Sequence, residues 1–280
     1  MPTTYAHWRF GQECYLTMPS EYQSIINKYR NLYDLGVHGP DIFFYDLRNK
    51  EISQYGGGIH KRPAKELFSR FKQTYEKHKE KEAMMAYILG FLTHFALDCY
   101  CHSYVYRKVE VSKVSHNKVE AEYDSFLMME EGKNPNVVNR SESLKPDEYT
   151  DKIISYFFKP TIKQISYCTR MQKNIISFTL CRSSFKRSAL KKLMNRINKS
   201  DYADLICDDD EFELCKDSNQ RLRKLQTKSL RDFPNLMNNL LGFFQGKNEL
   251  DELFNHTFDK TRDYKKIPVL SYKDELKYIV

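Results

Sequence analysis

From Ala83 to Tyr106 the chain reads AMMAYILGFLTHFALDCYCHSYVY, a run that is apolar or aromatic on most faces of a helix. A helix with no polar face to offer water belongs in the middle of a bundle, covered by neighbours on every side. The rest of the chain therefore has to supply helices that wrap it, and the predicted class is all-α. Weak strand signals agree, since no alternating runs bounded by hairpin turns occur.

Candidate neighbours can be read in both directions. Tyr22, Ile25, Ile26, Tyr29 and Leu32 recur at three- and four-residue steps before Gly36, which predicts a helix ending there. The following VHGPDIFFYDLRNKEISQYGGGIH, with Gly39, Pro40 and three consecutive glycines, predicts irregular chain. Helices are expected from about Pro63, and from about Ser112 to Met129. The polar stretch EGKNPNVVNRSESLKPDEYT reads as a loop or excursion. Beyond it, helices are expected near 151–160, 161–198, 218–246 and 248–256, interrupted by DYADLICDDDEFELC, an acidic turn region with no assigned chemistry. We expect one all-helical domain over 1–280, with a motif-bearing half at 1–130 and a basic helical half at 151–280.

The composition suits this reading. The chain has 280 residues, 41 % of them hydrophobic, enough for a sizeable core, and its 10 glycines and 9 prolines are too few for a collagen-like or low-complexity chain. Seven cysteines without a CxxC pair suggest neither a disulfide framework nor a thiolate zinc site. The opening MPTTYAHWRFGQECYLTMPS lacks a basic stretch followed by an apolar one, and no uncharged apolar run approaches the roughly 18 residues needed to span a bilayer. The expectation is a soluble, cytoplasmic protein. The net charge of +8 falls largely in CRSSFKRSALKKLMNRINKS and QRLRKLQTKSLRD. It invites a nucleic-acid or anionic-membrane reading, although the same side chains serve equally as solvated helix faces.

Three polar residues interrupt the apolar run. His94, Asp98 and His102 lie at four-residue steps, so they share a stripe spanning about 80° of the helix. Imidazole and carboxylate at this spacing can converge on one metal ion or on two adjacent ions. His116, Glu120 and Asp124 repeat the spacing on the next helix, which puts six donors between His94 and Asp124. Either helix alone could carry a satisfied core pair. Together they make coincidence the harder reading, and upstream loops add Asp41 and His60. His7 brings the histidines in such positions to five of the chain's eight. His78, among charges, is expected at the surface, His256 to be structural, and His38 to fix a loop by hydrogen bonding. Asp124 is expected to orient His116 or a neighbour from behind.

This series of His7, Asp41 in HGPDIFFY, His60 in GGGIH, His94, Asp98 and His102 in HFALDCYCH, and His116 and Glu120 in HNKVE resembles the zinc-dependent phospholipase C family, which shares an all-helical, three-zinc fold with single-strand nucleases of the S1/P1 type. The resemblance covers roughly residues 1–130. It implies one zinc on Asp41, His60, His94 and Asp98 and a second on His102, His116 and Glu120. A third would share Asp98 with His7 and the amino-terminal residue. The family's amino-terminal Trp is absent, this chain beginning Met1-Pro2 with its single Trp at Trp8, and the Asp98–His102 interval is shorter than in secreted bacterial relatives.

What the resemblance implies is a phosphodiester hydrolase using two or three zinc ions, a metal-bound hydroxide, and Asp41 as general base. Phospholipid or another phosphodiester is the expected substrate, with peripheral membrane contact. No GxSxG elbow or phosphate-cradling loop suggests a different chemistry. Two alternatives stay open: a zinc-dependent single-strand nuclease or phosphomonoesterase, for which the basic half and the aromatics would bind nucleic acid, and a non-catalytic zinc-binding helical protein.

Overall fold

The computed structural model describes residues 4–196, 203–208 and 211–280, and among these no strand occurs. At its centre lies α6 (Lys81–Ser112), 32 residues long, with every side chain from Ala83 to Asp98 buried. Among the described helices it alone is long and apolar enough to cross a membrane, yet 89 % of its most apolar window is buried inside the protein. It ends where Lys113 adopts a left-handed conformation, φ 61°.

The covering helices are α1 (Thr4–Thr17), α2 (Ser20–Lys28), α3 (Arg30–Gly36), α7 (His116–Glu130) and α11 (Lys216–Phe244), all packed directly on α6. The closest approach is to α3. A Cβ at Gly36 would overlap the Tyr87 carbonyl, and one at Gly90 the Tyr33 carbonyl, so the two backbones touch where both chains carry glycine. Around this crossing, Phe68, Phe71, Phe91, Phe95, Phe254 and Phe258 pack mostly edge to face with centroids 5.0–6.1 Å apart, Phe95 and Phe254 being stacked, arrangements that suit the ring quadrupoles. One apolar cluster runs from Tyr5 to Phe258. All seven cysteines are free thiols.

Several elements differ from the sequence expectation. Residues 4–17 form a helix where none was predicted, because its missing first-turn partner comes from another element: the Asp124 carboxylate accepts the Tyr5 and Ala6 amides at 3.1 and 2.7 Å. The helix expected up to Gly36 is two, broken at Tyr29 (φ −120°, ψ 42°). The segment expected to be irregular contains a 3-10 helix, Gly39–Tyr45, and α4 (Lys50–His60), which takes in all three glycines. Asn49 starts α4 by accepting the Glu51 amide, and Gly56 lies against Phe43, where a larger residue would collide.

Helix α5 (Ala64–Lys77) starts after Pro63 as expected, and Ser115 caps α7 by accepting the Lys118 amide. Residues 131–147 are turns, tethered by Asn136 to the Asp208 carbonyl and by Arg140 to Thr179 and the Leu205 carbonyl. Then follow α8 (Glu148–Ser155), α9 (Ile162–Thr179) and α10 (Ser184–Arg196), so the long helix expected over 161–198 is divided at 180–183, and its last two residues lie outside the described chain. The acidic stretch from 201 is described only in part. The helix expected over 248–256 is a short 3-10 turn, Glu252–Asn255. Beyond α11 the chain runs back across α6, through Thr261 on Ser103, to α12 (Tyr272–Glu275), where Glu275 receives both arms of the buried Arg221 guanidinium at 2.8 Å.

Candidate metal centre

Five elements deliver donors to one point beneath α6. Asp41 comes from the 3-10 helix, His60 from the last turn of α4, His94, Asp98 and His102 from α6, His116 and Glu120 from α7, and His7 from α1. Asp98 is the hub. Its Oδ2 lies 3.0 Å from His94 Nε2 and 4.0 Å from His60 Nε2, while Oδ1 faces His7 Nε2 at 3.2 Å and His102 Nε2 at 3.5 Å. Asp41 closes the inner side, with Oδ1 2.9 Å from His60 Nε2 and Oδ2 3.5 Å from His94 Nε2. Glu120 Oε1 closes the outer side, 3.3 Å from His102 Nε2 and 2.9 Å from His116 Nε2. Three groups have donor atoms close enough for an ion: His7, Asp41 and His94; His60, His94 and Asp98; His102, His116 and Glu120.

Backbone acceptors aim the imidazoles. His60 Nδ1 bonds the Gly56 carbonyl at 2.8 Å, His94 Nδ1 the Val37 carbonyl at 3.2 Å, and His102 Nδ1 the Phe258 carbonyl. Each bond places the ring proton on Nδ1 and leaves the Nε2 lone pair for the centre. Gly39, at φ +53°, lets the chain pass over the His94 ring, where any Cβ would collide with it. His7 stacks on His94 with centroids 4.2 Å apart.

Burial makes the charge balance demanding. Asp41, Asp98 and Glu120 are three buried carboxylates surrounded by five imidazoles, an arrangement that is costly unless protons or cations neutralise it. Burial works against the charged forms throughout, yet the Asp98 carboxyl is held well below the usual range by the charges of His102 and His94 and the bond from His7. His102 rises to about 10 because Asp98 and Glu120 outweigh its burial, and His7 and His60 also rise. His94 moves the other way, its complete burial dominating. Even so, Glu120 Oε2 is buried without a hydrogen-bond partner, and His94 Nε2, although 3.5 Å from Asp41 Oδ2 and 3.0 Å from Asp98 Oδ2, is not aligned with either for hydrogen bonding. Orphaned donors converging from separate elements fit a cation, and an all-nitrogen-and-oxygen set suits zinc. A void of about 20 Å³ lies beside His7, Asp98, His102 and Glu120, room for about one water-sized group.

The outer end of the centre is the open one. The His116 side chain is 24 % exposed, against 0 % for His94. Tyr106 stands edge-on to His116 at 5.1 Å, and Lys260 lies over the Tyr106 and Tyr264 rings at 4.4 and 4.5 Å.

All eight residues singled out by the sequence as metal donors lie in this cluster; the amino-terminal amine expected beside His7 lies outside the described residues. Other expectations shift. Asp124 anchors α1, the helix that carries His7, through the Tyr5 and Ala6 amides. His38 Nε2 is buried and has no partner, and burial beside His7 and His94 lowers its pKa to about 3. His78 is half-buried, stacked on Tyr156 at 3.8 Å, and His256 is exposed. The acceptors on Val37, Gly56 and Phe258 had escaped notice, since a backbone carbonyl leaves no mark in a sequence.

The family model for zinc dependent phospholipase C matches residues 6–183, more than half of the chain. No curated protein and no solved structure gives a significant match.

Proposed function

Because the chain belongs to the zinc dependent phospholipase C family, we propose that it is a zinc-dependent hydrolase of phosphodiester bonds, acting on phospholipid-like substrates to release a phosphorylated head group and a diacylglycerol-type product. The observation that carries this reading is the Asp98 carboxylate, buried and shared between two sets of imidazoles, with Asp41, His94 and Glu120 beside it each holding a buried donor atom outside any hydrogen bond. Asp41, His60, His94 and Asp98 would hold one ion. His102, His116 and Glu120 would hold a second, and His7 with Asp98 would contribute to a third. The second set has three protein donors, which leaves a coordination position for water or substrate, as catalysis requires.

Zinc, when bound, polarises the phosphoryl group and lowers the pKa of water from about 15.7 towards 7. The chain's own residues do the rest. Val37, Gly56 and Phe258 fix the tautomers of His94, His60 and His102, so that these three imidazoles need not turn during turnover. Asp41, with its depressed pKa, stays ionised and takes a proton from the attacking water, for which a weak base suffices once the water is acidic. The water oxygen joins phosphorus, the bond from phosphorus to the glycerol oxygen breaks, and that oxygen leaves with the proton that Asp41 took from the water. His116 marks the side from which substrate approaches, with the Lys260 ammonium at hand for an anionic phosphodiester.

The test is metal content by plasma mass spectrometry on chain purified without added zinc or an affinity tag, set beside a His94→Ala, His116→Ala double variant. The same preparations are then assayed on phosphatidylcholine and on single-stranded DNA. Two or three zinc ions lost in the variant, together with zinc-dependent release of phosphorylated head group, are expected. Hydrolysis of DNA alone would move the chain to the nuclease reading, and less than one ion, unchanged by the substitutions, would remove the metallohydrolase.

A further inference from the structure

The basic run CRSSFKRSALKKLMNRINKS takes no part in the centre, and most of it forms α10, which contains no acidic residue between Ser184 and Arg196. At 100° per residue its two faces separate cleanly. One carries Leu190, Arg187, Met194 and Lys191. Met194 packs with Ala203 and Ile206, Leu190 against them, and Arg187 bonds the Cys181 carbonyl at 3.0 Å. This face holds the helix to the body. The other carries, within about 120° of arc, Lys192, Phe185, Arg196, Leu193 and Lys186. Phe185 is 81 % and Leu193 55 % exposed, and Phe178 at the end of α9 is 59 % exposed. Lys186, Lys192 and Arg196 form no ion pair among the described residues.

We propose that this face of α10 seats the protein on an anionic phospholipid surface, with Phe185 and Leu193 entering the head-group boundary and Lys186, Lys192 and Arg196 meeting the phosphates. A helix already anchored by its inner face has no need of exposed Phe and Leu to fold, and ringing them with cations makes the patch complementary to a negative interface with an apolar interior. A bare polyanion would use the charges and leave the apolar pair unexplained. The choice of lipid also rests on the phospholipid reading of the centre. The two regions are joined: Lys191 and Lys118 both bind the Asp208 carboxylate, and Lys118 lies on α7, two residues from His116 and from Glu120. Docking α10 would therefore fix the outer half of the centre relative to the lipid surface.

Sedimentation of the full chain with phosphatidylcholine vesicles, with and without phosphatidylserine, tests this. The wild type is expected to partition onto the anionic vesicles and far less onto the neutral ones, with binding that weakens as salt rises. Lys186→Gln and Lys192→Gln should each weaken partitioning about fivefold, and Phe185→Ser with Leu193→Ser at least about tenfold. Equal binding to neutral vesicles, a serine variant that binds like wild type, or binding to single-stranded DNA in place of vesicles would overturn the proposal. Hydrolysis of a soluble short-chain phospholipid by the wild type reports on the centre separately, so vesicle binding without hydrolysis sinks the enzyme and leaves the docking face standing.

Discussion

Helices α6 and α10 break the rule of apolar inside and polar outside in opposite senses. Within α6, His94, Asp98 and His102 are turned into an apolar interior, all of them nine-tenths or more buried; on α10, Phe185 and Leu193 are turned out to water between cations. Scattered apolar surface is ordinary, whereas a buried polar cluster or a concentrated apolar patch is not. Both departures fit a proposed partner outside the chain that would complete them: cations in one case and a lipid surface in the other. They differ in how rigidly they are built. The α6 histidines are held by backbone acceptors from two other segments, Val37 and Phe258, whereas the α10 patch requires only that one helix face be anchored.

Asp98→Asn attacks the buried side of that comparison hardest. Removing the shared charge should strip at least one zinc and lower hydrolysis by about a thousandfold or more, read by metal analysis and turnover; a full zinc complement in this variant would end the ligand account of α6. Gly39→Ala acts on the scaffold. With φ at +53° and the His94 ring in the way, a methyl group should cost about 2–4 kcal/mol in denaturant unfolding and reduce zinc content as well. An unchanged midpoint would show that His94 is not held as tightly as its contacts imply.

Acidity separates the regions further. In the metal-free chain His102 titrates at about 10, above its unfolded value of about 6.5, so its contribution to stability is complete below pH 6.5 and fades as pH rises to 10. Zinc must displace that proton, and those on His7 and His60, whose pKa values are also raised. Zinc affinity should therefore climb with pH across this window, by about tenfold per unit for each proton displaced, and the gain in melting temperature on adding zinc should grow with it. A flat profile would contradict the charge balance drawn for Asp98. Smallest of all, Phe185→Ser with Leu193→Ser should leave the unfolding free energy within about 0.5 kcal/mol per site. A larger loss would make the patch part of the fold.

The sequence disclosed most of the centre because its side chains are chemically distinctive and helical spacing places them on shared stripes. His94, Asp98 and His102 needed only the 3.6-residue period, and α6 itself was plain from its unbroken apolar character. What stayed hidden depends on partners remote in sequence. Helix α1 forms at the chain's start because Asp124, more than a hundred residues on, holds its first turn. The three glycines of α4 look like a loop by propensity, yet the burial of Gly56 against Phe43 and the Asn49 cap make the segment helical, tertiary contact overriding intrinsic preference. Tyr29 divides one apolar period into two helices, and no residue there announces the break.

The Phe258 carbonyl on His102 has a consequence in time. The two residues lie 156 positions apart, and at ribosomal speeds of about 5–20 residues per second, roughly 8–30 s separate their synthesis. Throughout that interval a nascent chain carries His102, and soon His116 and Glu120, with the His102 ring free to turn. The last constraint on the outer half of the centre thus arrives well after the donors themselves, and metal captured before then would meet an unfinished geometry.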